Sequence, residues 1–239
     1  MKILCISDTH MSGMPLHQYP DADILVHAGD ATFRGRIEEV KFFAKELSKH
    51  YKDSRHHKGY QQIIFVPGNH DFLFETQPRL AREIMAEYNI ITLINEAHTY
   101  NGIKFWGSPT CPPFHNWAFY RNDIERYELW ETIPNDIDIL ITHGPPKFMR
   151  DEVREYMKIK YCGCGMLEQK VKQIRPKAHI FGHIHEGYGV TKDEHTLFVN
   201  AAIMDGRYKP ENKPILIEIN DTEANYIGNI NVNFNINNY

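Results

Sequence analysis

An α/β fold follows from three features of this 239-residue chain. Short β-branched runs alternate with amphipathic helical stretches, no repeat or domain linker interrupts the series, and the latter part turns strand-rich. Strands are expected at Lys2–Ile6, Asp23–Ala28, Gln62–Val66, Ile90–Ile94, Ile103–Gly107, Ile137–Ile141 and Ala178–Phe181. Helices are expected near Arg36–His50, Pro78–Tyr88, Asp123–Trp130 and Gly165–Ile174, where apolar residues recur three or four apart. Ile37, Val40, Phe43 and Leu47 make one such stripe. Further short strands at Val190, Leu197–Val199 and Pro214–Ile219 imply a mixed rather than purely parallel sheet system. Two breaker-rich stretches, Ser108–Asn122 and Gly144–Cys162, exceed ordinary connections and read as loops that shape a site. Near the end, Val232, Phe234 and Ile236 alternate with asparagines, the pattern of an edge strand or a tail.

With 42% hydrophobic and 24% charged residues, a domain of this size buries roughly 70–75% of its unfolded surface. The chain therefore reads as one domain, residues 1–239, with 220–239 as a C-terminal extension. Four irregularly spaced cysteines argue against a disulfide framework and for a reducing compartment, the cytoplasm by default. No apolar run is long enough to span a bilayer, so no membrane partner is expected. A formal net charge of −4 disfavours a broad clamp on extended nucleic acid while leaving small anionic substrates open.

Five places share one design, in which an apolar run ends and a small or glycine-containing turn presents Asp, Asn or His. Asp8 and His10 follow the first run, Asp30 the second, and Asn69, His70 and Asp71 the third. His143 and the pair His183 and His185 follow two later ones. Ligands of open α/β sheets bind outside the carboxyl ends of the strands, so such turns can converge. Residues two apart in an extended segment project to one side, which lets Asp8 with His10, and His183 with His185, aim inward together. Carboxylates, imidazoles and an amide without thiolate suit manganese, iron or zinc at a catalytic centre. Structural zinc would more often use cysteine.

These turns resemble the motif series of the calcineurin-like metallophosphoesterase superfamily. The matching segments are Asp8-Thr9-His10, Gly29-Asp30, Gly68-Asn69-His70-Asp71, Thr142-His143-Gly144-Pro145-Pro146 and Gly182-His183-Ile184-His185. A narrower resemblance is to the metallophosphoesterase-domain-containing branch, related to class III cyclic-nucleotide phosphodiesterases. It rests on Trp106-Gly107-Ser108-Pro109, on Pro113-Phe114 with Trp117-Ala118-Phe119, and on the segment Gly182 to Gly189, and it extends to about residue 219.

The resemblance implies two packed mixed sheets flanked by helices, and one metal held by Asp8, His10 and His185. A second metal would be held by Asn69, His143 and His183, with Asp30 bridging both. Manganese is the first expectation for the two divalent ions, with iron, zinc, magnesium or nickel as alternatives. The implied activity is a hydrolase that cleaves phosphodiesters, cyclic nucleotides first, by in-line attack of a metal-bridged hydroxide. Phosphomonoesterase or protein phosphatase, metal-dependent nuclease and non-catalytic scaffold are the rivals, and monomer or homodimer the expected state.

His70 belongs to no metal set in that pattern, which leaves it free to act as general acid. Asp71 either orients that imidazole or serves as a helix N-terminal carboxylate. The segment after Asp30 resembles the Gly-Asp-x-x-Asp-Arg-Gly motif of Ser/Thr protein phosphatases with Phe33 in the acidic position. Arg34 then either reaches a substrate phosphate or faces solvent. Phe114, His115, Trp117 and Tyr120 crowd one loop, suited to stacking a nucleobase or to anchoring the loop. Arg34, His115 and Tyr120 are the residues assigned to substrate. His56-His57 reads as part of a solvated loop, and Cys162-Gly163-Cys164 as free thiols near a helix start.

Overall fold

The computed structural model describes residues 1–12, 18–49, 59–113, 115–155 and 158–229. The first half of the chain supplies β1 (Lys2–Ile6), β2 (Ile24–His27), α1 (Ile37–Ser48), β3 (Gln62–Phe65), α2 (Leu73–Thr76), α3 (Pro78–Glu87), β4 (Ile90–Thr92), β5 (Glu96–Tyr100) and β6 (Ile103–Ser108). The second half supplies α4 (Asp123–Glu131), β7 (Ile139–Thr142), β8 (Glu152–Glu155), β9 (Lys158–Tyr161), α5 (Gly165–Ile174), β10 (Ala178–Phe181), β11 (Gly189–Lys192), β12 (Leu197–Asn200), β13 (Ile215–Ile219) and β14 (Ala224–Asn229).

Two six-stranded mixed sheets result, in the orders β14-β13-β1-β2-β3-β4 and β11-β12-β10-β7-β6-β5. Each contains four parallel strands: β1 to β4 in the first, with antiparallel β13 and β14 beyond β1, and β12, β10, β7 and β6 in the second, flanked by antiparallel β11 and β5. Alternation along the strands explains the layering. Ile3, Cys5, Ile24, Val26 and Ile64 face Ile139, Ile141, Ala178, Ile180 and Val199 in a core between the sheets. The intervening residues Leu4, Ile6, Leu25, Ile63 and Phe65 pack against Val40, Phe43, Leu47, Ala81 and Met85 of α1 and α3. On the far side, Leu140, Phe181 and Phe198 pack against Trp130, Leu167 and Val171 of α4 and α5. Helices outside two sheets make four layers. Central strands buried on both faces carry no polar alternation, which is why they read as continuous apolar runs.

The helices begin where local chemistry favours it. Asn122 accepts the Glu125 amide at 3.0 Å while the Glu125 carboxylate accepts the Asn122 amide at 2.8 Å, a reciprocal cap at the start of α4. Pro78 opens α3, where its missing N–H would have no partner in any case.

Two departures from the sequence expectation stand out. The stretch Gly144–Cys162, expected as loop, contains the antiparallel hairpin β8–β9. Its β9 residues are all exposed, so no apolar period marked it. The edge strand near the C-terminus is β14, whereas the alternating segment 231–237 lies outside the described residues, as do His56, His57 and Phe114. None of the four cysteines is in a disulfide among the described residues. No helix among the described residues is long and apolar enough to cross a membrane.

Candidate metal centre

Parallel register brings the carboxyl ends of β1, β2 and β3 together in one sheet and those of β7 and β10 in the other, and every singled-out turn leaves from one of these ends. Main-chain bonds stitch the turns to each other. The Asp8 amide donates to the Gly29 carbonyl at 2.8 Å, that of His10 to Asp30 at 3.0 Å and that of Gly182 to His143 at 3.0 Å. The bends are sharp. Asp8, His10, Asp30 and His183 all have positive φ, between 39° and 67°, a conformation that costs a residue with a β carbon about 1–3 kcal/mol. Gly29, at φ 106°, and Gly182 permit the approach. A methyl group on Gly29 would overlap the His143 ring, and one on Gly182 would overlap the Asp8 carboxylate.

The side chains converge. Asp8 Oδ1 lies 3.3 Å from His185 Nε2, and both Asp8 oxygens accept the His183 amide, at 3.1 and 3.0 Å. Asp30 Oδ1 accepts the His70 amide at 2.8 Å. Its Oδ2 lies 3.3 Å from His143 Nε2, 3.8 Å from His10 Nε2 and 4.0 Å from His70 Nε2. The Asn69 amide oxygen is 2.9 Å from His143 Nε2. Two groupings have all their donor atoms mutually within 4.8 Å: Asp8 with His10 and His185, and Asp8 with Asp30 and His143. His10, Asp30 and His70 form a third, so Asp30 sits at the junction.

Second contacts fix which nitrogen faces inward. His143 Nδ1 donates to the Ala28 carbonyl at 2.9 Å and His185 Nδ1 to the Asp205 carbonyl at 3.1 Å, because a carbonyl can only accept. Each thereby turns its Nε2 toward the carboxylates. Burial pushes the carboxyls of Asp8 and Asp30 up. The hydrogen bonds and charges of His185 and His143 outweigh it and hold both below the usual range. Burial pulls His143 down, but Asp30 raises it to about 9; burial dominates at His10 and His183, lowering each to about 4.

Divalent cations fit this donor set. Both ring nitrogens of His10 are buried without a hydrogen-bond partner beside two buried carboxylates, a combination that a cation satisfies and an apolar core does not. The donors are hard oxygens and imidazoles, with one addition. Cys111, absent from the sequence-derived set, is buried with its sulfur within 4.8 Å of nitrogens of His143 and His183. It sits in the expected loop between Ser108 and Asn122, but no strand-end pattern marked it.

His70 is held differently from the others. Its Nδ1 donates to the main-chain carbonyl of Phe33 at 3.0 Å, and its ring stacks on Trp117 with centroids 4.0 Å apart. The Asp71 carboxylate binds elsewhere. It accepts the amides of Gly68, Ala31 and Thr32 and the Thr32 hydroxyl, at 2.7 to 3.3 Å, and so ties the Asp30 turn to the Asn69 turn. Arg34 lies over Trp117 at 5.4 Å from the ring centroid and is not part of the wall of the adjoining cleft.

That cleft, about 570 Å³, is lined by Asp30, Asn69, His70, His183 and His185 together with His115, Trp117 and Tyr120. Lys160 of β9 and Tyr208 also line it. Sequence reasoning missed both, along with buried His27. His27 Nδ1 accepts the Gly29 amide at 3.2 Å and its Nε2 meets the Thr9 hydroxyl at 2.9 Å, linking the Asp8 and Asp30 turns. A histidine closing an otherwise apolar strand is the one signal that could have drawn notice to it.

Residues 1–187 match the family profile described as calcineurin-like phosphoesterase. The chain is similar to human metallophosphoesterase domain-containing protein 1, with 35% identity over 244 aligned positions covering 91% of this chain and 71% of that protein. It is also similar to UPF0046 protein K07C11.7 of Caenorhabditis elegans, at 36% identity over 92% of this chain and 75% of the other. Among solved structures, TT1561 of Thermus thermophilus superposes with a TM-score of 0.61 over 96% of this chain and 99% of that one. At 16% identity this is a likeness of fold alone.

Proposed function

Because the chain belongs to the calcineurin-like phosphoesterase family, in its metallophosphoesterase-domain-containing branch, we propose that this metal-dependent hydrolase cleaves small phosphodiesters, with 2′,3′- or 3′,5′-cyclic nucleotides as first substrates. The observation that carries the reading is the position of Asp30 between clusters drawn from both sheets, at the foot of a cleft of nucleotide size. Two divalent ions held by Asp8, His10 and His185 on one side and Asn69, His143 and His183 on the other, with Asp30 shared, would supply charge stabilisation and an activated water. Manganese is the first candidate.

The chain's own residues then have distinct tasks. The Phe33 carbonyl fixes the His70 ring so that Nε2 points to the Asp30 side, where a leaving oxygen would develop charge. With Nδ1 committed as a donor, His70 delivers a proton from Nε2 only as the imidazolium. Asp8 and Asp30 accept neighbouring amides as well as facing the histidines, which holds their oxygens in place. Trp117 stacks on His70 and keeps water from that face of the ring. Residues 1–239 act as one catalytic unit in this reading, supported by the core that both sheets share. Four irregularly spaced cysteines suit a reducing compartment, the cytoplasm first, and either a monomer or a homodimer serves.

A metal-by-substrate matrix on chelated and reloaded protein tests the reading. Manganese-loaded protein is expected to turn over bis-p-nitrophenyl phosphate and cyclic nucleotides faster than p-nitrophenyl phosphate or a phosphopeptide. Asp30→Asn should lose both bound metal and more than about 10²-fold in rate. Turnover of monoesters alone would remove the diester assignment.

A further inference from the structure

We infer that Tyr208 forms a subsite for a planar aromatic group of the substrate, such as a nucleobase, and so sets specificity among phosphate esters. The inference rests on the phosphoesterase reading above and adds what lies beyond the phosphate.

An aromatic row runs along the cleft, with Trp117, His70 and Tyr208 in its wall and His10 buried behind them. Trp117 stacks on His70, the His70 and His10 rings are 4.7 Å apart, and Tyr208 stands 5.3 Å from His10 and 4.8 Å from His185. The two ends of this row differ. Trp117 is already engaged, by the His70 ring at 4.0 Å and by the Arg34 guanidinium at 5.4 Å. Tyr208 is not stacked by either imidazole, since the interplanar angles are 54° to His10 and 67° to His185. Its side chain lines the cleft although the residue is 58% exposed, so a ring face is left for a planar ligand.

The turn that carries Tyr208 is built to hold it there. Asp205 Oδ1 accepts the amides of Arg207 and Lys209 at 2.8 and 2.9 Å, and the Asp205 carbonyl accepts the Tyr208 amide at 2.9 Å. The same carbonyl accepts Nδ1 of His185 at 3.1 Å. Asn212 ties the turn down by donating to the carbonyls of Ala202 and Met204. Tyr208 adopts φ 57°, a left-handed conformation unfavourable for a residue with a β carbon. The effect is to aim a large, exposed aromatic side chain at the metal ligands rather than into solvent. Tyr120 lines the same cleft, and its hydroxyl is buried without a hydrogen-bond partner.

The test compares two esters with the same reacting ring, 2′,3′-cyclic AMP and glycerol 1,2-cyclic phosphate, on the manganese-loaded protein, Tyr208→Ala and Tyr208→Phe. Tyr208→Ala should raise KM for the nucleotide relative to the glycerol ester by roughly 5- to 150-fold, the range expected from loss of base stacking, and Tyr208→Phe should restore the ratio. An equal rise for both esters, or a loss of bound manganese, would mean that Tyr208 only buttresses His185, and the subsite would be withdrawn. If the unmodified protein turns over neither ester, the phosphodiesterase reading fails. Calorimetry then decides the subsite separately: Tyr208→Ala should weaken AMP binding relative to inorganic phosphate, and a parallel change in both would overturn it.

Discussion

Asp71 is fully buried and serves four donors from two turns that lie far apart in sequence, the Thr32 contacts spanning 39 positions. Burial and the charge of Asp30 push its carboxyl up to about 6 even though those donors pull it down. Asp71→Asn turns one acceptor oxygen into a donor facing an N–H. It is expected to cost about 1–3 kcal/mol in urea unfolding and to lower metal content. An unchanged unfolding midpoint would sink the clamp reading. The sequence suggested that Asp71 orients His70 or caps a helix, and neither expectation named the turns it joins, because those partners are main-chain amides brought near only by folding. The orientation of His70 was hidden for the same reason, since the group that holds it is the carbonyl of Phe33 and not a side chain. The seven proposed ligands were legible residue by residue because each stands just beyond an apolar run. Tyr208 follows no such run, and Cys111, three residues beyond β6, is a thiol where the pattern called for Asp, Asn or His.

Among elements, legibility tracked burial. The central strands bury both faces and read as unbroken apolar runs, so β1, β2, β3, β7 and β10 were placed to within a residue or two. The edge strand β5 alternates between half-buried and exposed residues, and β9 is exposed throughout. Their pairing is a matter of backbone bonds that composition does not record. The inner strands should be correspondingly intolerant of truncation. Ile64 of β3 is buried between the sheets, and Ile64→Ala is expected to destabilise the protein by about 2–5 kcal/mol, read from chemical denaturation. A cost below roughly 1 kcal/mol, closer to that of a surface change, would show that the sheets close over the gap.

For the whole molecule, pH is the telling variable. His27 and His179 are both pushed down to about 3, by burial above all, and stay neutral in the folded protein. Their ordinary value is 6.5, so below it the unfolded chain takes up a proton that the folded chain refuses. Their contribution to stability is therefore full above about 6.5 and is lost as pH falls from there toward 3, by up to about 1.4 kcal/mol per pH unit for each group. His179→Gln, which can still meet the Thr142 hydroxyl now 2.8 Å from His179, should flatten the fall in urea midpoint between about pH 6.5 and 4.5. A slope identical to that of the parent protein would exclude His179 as a source.

The amide of His183 meets the carboxylate of Asp8 across 175 positions of sequence. Ribosomal synthesis delivers the amino-terminal strand first, and strands that pair over such distances close late. A nascent chain halted before β10 would own Asp8, His10, Asp30 and His143 yet lack His183 and His185. The cluster of Asp8, His10 and His185 is accordingly complete only after translation of nearly the whole matched region.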